Sequence, residues 1–259
     1  MSDIKLYNGD CMEYMRNMLP NSIDLIVTSP PYNKGLFNKC KKSNQIWGGF
    51  EINYNSYSDD LSKEEYEKWM LDFFDLCNIV LKDGGSLFFN HKPIRHDNTI
   101  YHPMEFISKS KSMEVYQEII WDRKSSPNIR NDVFVPCTER IYWMKKIGQK
   151  PVFNRSKLPK EYISEVWNIT AKKNKHHPAP FPYDLVKNCI LPFTSEDKVI
   201  TVLDPFMGCG TTGMVCRDLE LDFIGVELDE NYYNISQERI NNELDKINNN
   251  IHEISETKI

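Results

Sequence analysis

Two successive prolines end an apolar segment near the N-terminus, and hydrogen-bonding groups flank them. The run Ile26–Asn33 reads Ile-Val-Thr-Ser-Pro-Pro-Tyr-Asn. Each proline fixes its own φ and lacks an amide hydrogen, so a strand cannot continue through Pro30 and Pro31. The Ser29 hydroxyl and the Pro30 carbonyl would then act as acceptors for an amino group on a flat heterocycle, while Tyr32 covers its ring face. The alternative is a plain turn that closes a buried strand.

A glycine-rich segment late in the chain is the second candidate site. Gly208, Gly210 and Gly213 form a G-x-G-x-x-G pattern after an apolar run. Glycines there allow a tight turn and a close approach of a ligand, and Glu227 closes the next apolar run, where a ribose-binding carboxylate belongs. This pattern alone suits a nicotinamide, a flavin or a methyl donor. The insertion Asp204–Phe206 argues against the dinucleotide version, in which the glycines follow the strand directly.

Together, the two motifs resemble those of the DNA methyltransferases that methylate exocyclic amino groups with S-adenosylmethionine. Thr28–Tyr32 reads Thr-Ser-Pro-Pro-Tyr, and Asp204–Thr212 reads Asp-Pro-Phe-Met-Gly-Cys-Gly-Thr-Thr. This is the permuted order, in which the catalytic motif precedes the cofactor motif. The resemblance covers nearly the whole chain, because Leu81–Phe89 looks like the family's helix-to-strand step and His177–Pro182 like its segment before the cofactor half.

The resemblance implies direct methyl transfer to a base flipped out of double-stranded DNA, without a covalent enzyme intermediate. Its catalytic residues would be Ser29, Pro30, Pro31 and Tyr32. Its cofactor-binding residues would be Asp10, Asp204, Phe206, Gly208, Gly210, Thr211, Thr212 and Glu227. Within this set Asp10 is expected near the adenine, Glu227 on the ribose and the Asp204 loop around the methionine. No metal ion is expected, and His177 receives no chemical role.

The choice of base rests on Ser29, and the resemblance of the His177–Pro182 segment agrees with it. In the resembled family, Ser before Pro-Pro-Tyr favours N4 of cytosine and Asp favours N6 of adenine, so Ser29 predicts a cytosine-N4 enzyme of a restriction-modification system. The adenine-N6 enzyme of the same fold is the alternative. A nicotinamide or flavin oxidoreductase using Gly208–Gly213 would leave Ser29–Tyr32 unexplained, and a non-catalytic nucleic-acid-binding protein is the third alternative.

Charge is distributed unevenly along the chain, although the formal net charge is only −5. Between Trp121 and His177 there are thirteen basic and five acidic residues, whereas the chain from Arg217 onward has four basic and eleven acidic residues. A basic middle segment is expected of phosphate contacts, and a solvated lysine-rich face is the alternative interpretation. DNA contacts are predicted in Asp122–Val135 and Val152–Lys175.

Length and composition favour one catalytic domain of 259 residues, 40% of them hydrophobic. We expect a catalytic half at 1–121, a DNA-recognition region within 122–176, a cofactor half at 177–246 and a polar tail at 247–259. No apolar run could span a bilayer, which predicts a cytoplasmic protein. The seven cysteines contain no C-x-x-C pair and are expected to be reduced. A cognate endonuclease and a second copy of the chain are further candidate partners.

The predicted architecture is α/β, a doubly wound, mostly parallel Rossmann-like methyltransferase sheet with a basic DNA-recognition insertion. Predicted strands are Ile4–Asn8, Ser22–Val27, Ser86–Asn90, Val115–Trp121, Arg140–Lys145, Val199–Leu203 and Asp222–Val226. Predicted helices are Cys11–Leu19, Ser62–Lys82, Met104–Ser110, Pro182–Leu191, Thr211–Leu219 and Glu230–Lys246. Ser62 and Glu65 predict a capping box, and Gly84-Gly85 is expected to stop that helix. Asn33–Asp60 is expected to be a lid or substrate clamp, and Glu139 to be structural.

Overall fold

An eight-stranded sheet forms the centre of the protein. The computed structural model describes residues 2–33, 61–96, 99–124, 126, 131–170 and 181–241. A separate two-stranded hairpin joins β4 (Ile94–His96) to β5 (Thr99–Tyr101). The strands of the large sheet are β1 (Ile4–Asn8), β2 (Ile23–Thr28), β3 (Leu81–His91), β6 (Met113–Asp122), β7 (Thr138–Lys146), β8 (Val166–Asn168), β9 (Thr201–Asp204) and β10 (Asp222–Glu227). In space they follow the order β1-β10-β9-β2-β3-β7-β6-β8.

Five neighbouring strands, β1, β10, β9, β2 and β3, run parallel to one another. Strand β7 is antiparallel to both β3 and β6, and β8 pairs with β6 in parallel. The predicted mostly parallel α/β sheet is therefore confirmed, with β7 as its single reversed strand among the described residues. Because parallel strands present their carboxyl ends at one edge, the residues that follow these strands meet there.

Helices cover both faces of the sheet. Their bounds are α1 (Cys11–Arg16), α2 (Lys63–Val80), α3 (Met104–Ile107), α4 (Tyr183–Ile190), α5 (Thr211–Asp218) and α6 (Glu230–Asn241). The first three contribute to one core cluster, and the last three contribute to the other. Strand β2 shows why both faces must be covered: Ile26 points into the first cluster, while Leu25 and Val27 point into the second.

The transition from α2 to β3 differs from the sequence prediction. The capping box of Ser62 and Glu65 is present, but the helix ends at Val80 and β3 begins at Leu81. The predicted stop at Gly84-Gly85 is therefore wrong. Leu81 has extended backbone angles and pairs with Ile23 of β2, so sheet pairing ends the helix before the glycines are reached. Gly84 lies inside the irregular start of β3 with φ of +74°.

The other differences from the sequence prediction concern short elements, which have too few residues to show a hydrophobic periodicity. Strand β8 lies in the stretch 152–175, for which no regular structure was predicted, and the β4–β5 hairpin was also missed. Helix α1 ends at Arg16, three residues before its predicted end. Three predicted segments lie outside the described residues. They are residues 34–60 of the predicted lid, residues 171–180, which include the end of the predicted DNA-contact stretch and the start of the His177–Pro182 segment, and the tail 247–259. None of the described helices combines the length and the apolar character needed to span a membrane.

Candidate functional site

Four polar side chains follow four adjacent strands at one edge of the sheet. Asp10 lies beyond β1, Glu227 ends β10, Asp204 ends β9 and Ser29 follows β2. Neighbouring strands are about 4.8 Å apart, so the row from Asp10 to Ser29 crosses three strand spacings, or about 14 Å. The sheet thus aligns residues that are as far as 217 positions apart in sequence (Asp10 and Glu227). Such an elongated edge suits an extended ligand lying across the strand ends.

Glu227 is fixed against the glycine loop by backbone donors. Its two carboxylate oxygens accept hydrogen bonds from the Gly208 amide at 2.7 Å and from the Asp229 amide at 2.9 Å. Burial raises the pKa of Glu227 to about 7, although these two hydrogen bonds oppose the shift. Each carboxylate oxygen retains a second acceptor site. The arrangement can therefore accept hydrogen bonds from ligand hydroxyls.

Asp204 joins the cofactor-like loop to the Ser-Pro-Pro-Tyr motif. Its Oδ1 accepts hydrogen bonds from Thr28 Oγ1 at 2.7 Å and from the Phe206 amide at 3.2 Å, and its Oδ2 accepts one from Thr212 Oγ1 at 2.6 Å. The side chain is buried, and burial raises its pKa to about 6. Both Asp204 and Thr212 are thus directed inward. They hold two strand ends and a helix start in place.

The rest of the predicted cofactor set surrounds the same edge. Asp10 caps α1 by accepting the Glu13 amide at 2.8 Å. Phe206 is half-buried and packs edge-on against Trp69, with 5.6 Å between ring centroids. Gly210, at φ of +81°, is the N-cap residue of α5, and a Cβ there would lie 2.9 Å from the Ser236 Cβ. A side chain at position 210 would therefore meet both backbone strain and a clash with α6.

The Ser-Pro-Pro-Tyr motif closes β2 at the end of this row. The Ser29 hydroxyl and the Tyr32 hydroxyl are 3.0 Å apart, and Tyr32 lies against the His91 ring with 4.4 Å between centroids. The Tyr66 hydroxyl lies 2.8 Å from the Pro31 carbonyl, which accepts its hydrogen bond. The structure therefore brings the predicted catalytic residues together at the end of β2, where Tyr66 of α2 and His91 of β3 contact them.

Three further residues extend this motif, and the sequence patterns did not assign them to the site. Asn90 ends the apolar part of β3, and its amide nitrogen lies 2.6 Å from the Tyr32 hydroxyl. Glu139 lies near the start of β7 and accepts from Asn90 at 3.0 Å and from Arg123 Nη1 at 2.9 Å. A signal for Asn90 was available, since it is a polar residue at the end of the predicted apolar strand Ser86–Asn90. Glu139 and Arg123 carried no comparable signal.

The basic residues of the middle segment lie at two opposite ends of the sheet's strands. Arg123 and Lys124 follow β6 at the same sheet edge as Ser29. Lys150 instead lies at the opposite end of the strands, because Val152 pairs its amide with the Gly84 carbonyl at the start of β3. Several cations are also paired with acids: Arg123 with Glu139, Lys124 with Asp122, Arg140 with Glu118 and Lys145 with Glu114. Net charge along the segment therefore overstates the free positive charge near the strand ends.

Among the described residues, the cysteines carry free thiols, and no three His, Cys, Asp or Glu side chains are grouped to hold a metal ion. Cys137 is half-buried and its carbonyl accepts the Arg123 amide at 2.9 Å. Its backbone thus anchors the connection between β6 and β7. His177, the first residue of the segment that resembles the family's pre-cofactor region, lies outside the described residues.

Comparison with known proteins decides the family. The sequence model of the N6 and N4 DNA methylases matches residues 23–238. The chain belongs to this family of DNA methyltransferases. The match spans both motifs, from β2 with Ser29 to α6 behind the glycine loop.

Individual relatives agree with this assignment. The Type II methyltransferase M.BglII of Bacillus subtilis is 28% identical over 277 residues, which cover 95% of this chain and 71% of that protein. PvuII DNA methyltransferase (cytosine-N4-specific) superposes with a TM-score of 0.72 at 21% identity, covering 96% of this chain and 91% of its own. TTHA0409 from Thermus thermophilus, complexed with S-adenosyl-L-methionine, gives 0.66 at 22% identity, covering 91% and 92%. These two superpositions show that the fold is shared.

Proposed function

We propose that the protein transfers a methyl group from S-adenosylmethionine to the N4 amino group of cytosine in double-stranded DNA. The observation that carries this proposal is the order of the strand ends: Asp10, Glu227, Asp204 and Ser29 lie side by side along β1, β10, β9 and β2. The order matches a cofactor placed across the edge, with its adenine toward Asp10, its ribose at Glu227 and its methionine end near the Asp204 loop. Ser29 then lies beyond the reactive end, where a target amine would enter.

The residues at this edge fit the proposed cofactor by their chemistry. Glu227 offers acceptor sites for ribose hydroxyls, and its position is fixed by the Gly208 amide. Gly208, with φ of +54°, lets the backbone turn closely beneath a ligand. When bound, S-adenosylmethionine supplies a methyl group on a positively charged sulfonium sulfur. Asp204, Phe206, Gly210, Thr211 and Thr212 form or support the loop that would surround this end.

On the target side, the chain binds and orients the amine. The Ser29 hydroxyl and the Pro30 carbonyl accept the amino hydrogens, which localises the nitrogen lone pair for in-line attack. With S-adenosylmethionine bound, the nitrogen lone pair would form the new N–C bond while the electron pair of the broken S–C bond stays on sulfur, and the methylated amine would release one proton to solvent. Tyr32 covers the flipped base, and Pro31 is held by Tyr66 so that the motif keeps its shape.

Cytosine is favoured because the acceptor at position 29 is a hydroxyl. Within the resembled pattern, a carboxylate at this position accompanies adenine, and this chain has Ser29. A role in a restriction-modification system, beside a cognate endonuclease, is supported by the names of the relatives, which are Type II methyltransferases. DNA contact is proposed for the part of the basic segment at the catalytic edge, beginning at Asp122, within a recognition region at 122–176.

The test is to incubate the protein with S-adenosylmethionine and unmethylated genomic DNA, digest the DNA to nucleosides and identify the product by mass spectrometry. N4-methylcytosine is the expected product. N6-methyladenine would retain the DNA methyltransferase but overturn the argument from Ser29. The absence of any methylated nucleoside, under conditions in which the protein binds both S-adenosylmethionine and DNA, would contradict the proposed reaction.

A further inference from the structure

A buried carboxylate touches the catalytic motif from a neighbouring strand. Glu139, near the start of β7, is only 7% exposed. Its Oε2 accepts hydrogen bonds from the Tyr32 hydroxyl at 3.3 Å and from Asn90 Nδ2 at 3.0 Å, and its Oε1 accepts Arg123 Nη1 at 2.9 Å. Lys92 Nζ lies 3.9 Å from Oε1. Arg123 and Lys92 thus balance its charge on one side, and the other side faces the motif.

An ionised carboxylate accepts hydrogen bonds and cannot donate them, which fixes the direction of this network. Tyr32 must donate its only hydroxyl proton to Glu139. Burial, and then the negative charge of Glu139, raise the pKa of Tyr32 well above its ordinary value, so the phenol keeps that proton at neutral pH. Asn90 must likewise turn its NH2 group toward Glu139. The Asn90 Oδ1 is left as a buried acceptor with no hydrogen-bond partner among the described residues.

The same direction extends to Ser29. Because the proton of Tyr32 is committed to Glu139, the 3.0 Å contact between the two hydroxyls requires Ser29 to donate and Tyr32 to accept. Ser29 then keeps its lone pairs for an incoming donor, even though Asn90 Nδ2 makes a long 3.4 Å approach to its oxygen. Without a pure acceptor at the end of the chain, the Ser29 hydroxyl could point either way.

We propose that Glu139 is a positioning residue for methyl transfer, which acts through Tyr32 to hold the Ser29 hydroxyl as an acceptor toward the target amine. The inference rests on the proposed function and deepens it, because it explains why the Ser29 hydroxyl proton points away from the target amine. Glu139 touches neither the base nor the cofactor. Its contribution is to fix the direction of hydrogen bonding, in which Ser29 donates to Tyr32 and Tyr32 donates to Glu139.

The first variant is Glu139→Gln, which has nearly the same size. Its amide carries one acceptor oxygen in place of two. The charged donors Arg123 and Lys92 lie on the Oε1 side, so we expect the amide oxygen to face them and the NH2 group to face Tyr32 and Asn90. An NH2 group cannot accept the Tyr32 proton, so the order of the chain is lost. We expect the single-turnover methylation rate to fall by about tenfold to 100-fold, the size typical of groups that orient a reacting residue without touching the reactants. The dissociation constants of S-adenosylmethionine and DNA should stay within about twofold of wild type.

The matched control is Glu67→Gln on α2. Glu67 is also a poorly exposed carboxylate, with 13% of its side chain exposed, and it pairs with Lys63 and Lys109 instead of with residues of the Ser-Pro-Pro-Tyr motif. This variant should methylate at the wild-type rate. Thermal unfolding of both variants identifies any loss that comes from stability alone.

A double-mutant cycle with Tyr32→Phe separates positioning from a general structural role. Removal of the Tyr32 hydroxyl breaks the chain, so Glu139→Gln should have little further effect on the single-turnover rate in the Tyr32→Phe background. Rate losses that multiply in the double variant would overturn the proposal, as would a wild-type rate for Glu139→Gln. If Glu139→Gln does not fold, a wild-type rate for Tyr32→Phe alone overturns it. An inactive wild-type protein would count against the proposed function instead.

Discussion

The two halves of the site are built from different kinds of contacts. On the proposed cofactor side, Glu227 is held by the amides of Gly208 and Asp229, and Asp10 by the amide of Glu13. These partners are backbone groups at most 19 positions away in sequence. On the proposed target side, side chains contact side chains over longer separations: Asn90 reaches Tyr32 across 58 positions. Glu139 reaches Tyr32 across 107.

This difference separates a prearranged half from an adjustable one. Backbone amides cannot change rotamer, so they hold the carboxylates of the cofactor side in place before any ligand arrives. Hydroxyls and amides on the target side can reorient, and their order depends on one carboxylate, Glu139. The Thr28–Asp204 hydrogen bond of 2.7 Å is a direct link between the halves. We therefore expect substitutions in the two halves to affect different steps.

Ser29→Ala is expected to show the largest difference between its effect on the methylation rate and its effect on cofactor affinity. Loss of the acceptor should lower the single-turnover methylation rate about 10²-fold to 10³-fold, because the target amine is no longer oriented. Affinity for S-adenosylmethionine, measured by calorimetry, should change by less than about twofold. A loss of cofactor affinity as large as that of Asp204→Ala would erase the distinction between the two halves.

Asp204→Ala should act on the opposite half. It leaves the hydroxyls of Thr28 and Thr212 and the Phe206 amide without their shared acceptor, at a cost of about 2 kcal/mol or more. We expect cofactor affinity to weaken about 30-fold, which corresponds to about 2 kcal/mol, and the melting temperature to fall. Asp204→Asn, which keeps the volume and one acceptor oxygen, serves as the control. Its cofactor affinity and melting temperature should lie between those of the wild type and those of Asp204→Ala. An unchanged dissociation constant for S-adenosylmethionine would contradict the assignment.

Cofactor affinity should depend on pH through Glu227. Its pKa is raised to about 7, so the carboxylate is ionised above that pH and protonated below it. The ionised form is the better acceptor for ribose hydroxyls, so affinity should be highest above pH 7 and fall by at most about tenfold per pH unit below it. Calorimetric titrations from about two pH units below this pKa to about two above it would measure the effect. Glu227→Gln should bind more weakly with a flat profile, and a slope that survives the substitution would assign the titration to another group.

The smallest effect concerns DNA phosphate contacts at the catalytic edge. Lys124 pairs with Asp122 at the surface, with 54% of its side chain exposed, so a phosphate can replace that partner. Lys124→Ala should reduce the slope of log affinity against log salt by about 0.9, the value for one lost phosphate contact. Lys150→Ala, at the opposite end of the strands, is the matched control and should leave the slope unchanged. Equal effects would mean that DNA contacts both ends of the sheet. A flat salt response of the unmodified protein would remove the basic segment from the interface.

The prearranged half was largely predictable from sequence because its partners are local. The glycine spacing, the insertion at Asp204 and the position of Glu227 led to a loop that the sheet places beside Ser29. The target half was only half predictable. Ser29 and Tyr32 stood out, whereas Asn90, Arg123 and Glu139 join them only through the pairing of β3, β7 and β6, which no local pattern encodes. The sequence predicts a structural role for Glu139, whereas its contact with Tyr32 connects it to the catalytic motif.

The same limit applies to the fold. Long periodic elements such as α2 were predicted to within two residues, since burial of one face dictates their pattern. The end of α2 was missed because pairing of Leu81 with Ile23 overrides the local glycine signal. Strand β8, three residues long, is defined by its partner β6 and has too few residues for a period.

The contact between Asn33 and Leu61 has a consequence for exchanging the intervening segment between related enzymes. Its side-chain amide makes two hydrogen bonds with the backbone of Leu61, at 2.8 and 2.9 Å, so positions 33 and 61 are joined directly. The closure entropy of a flexible loop rises by only about 0.6 kcal/mol when its length doubles. These two hydrogen bonds fix the points from which the chain leaves β2 and enters α2. We therefore expect that segments of other lengths, grafted between Asn33 and Leu61, would leave β2 and α2 in register.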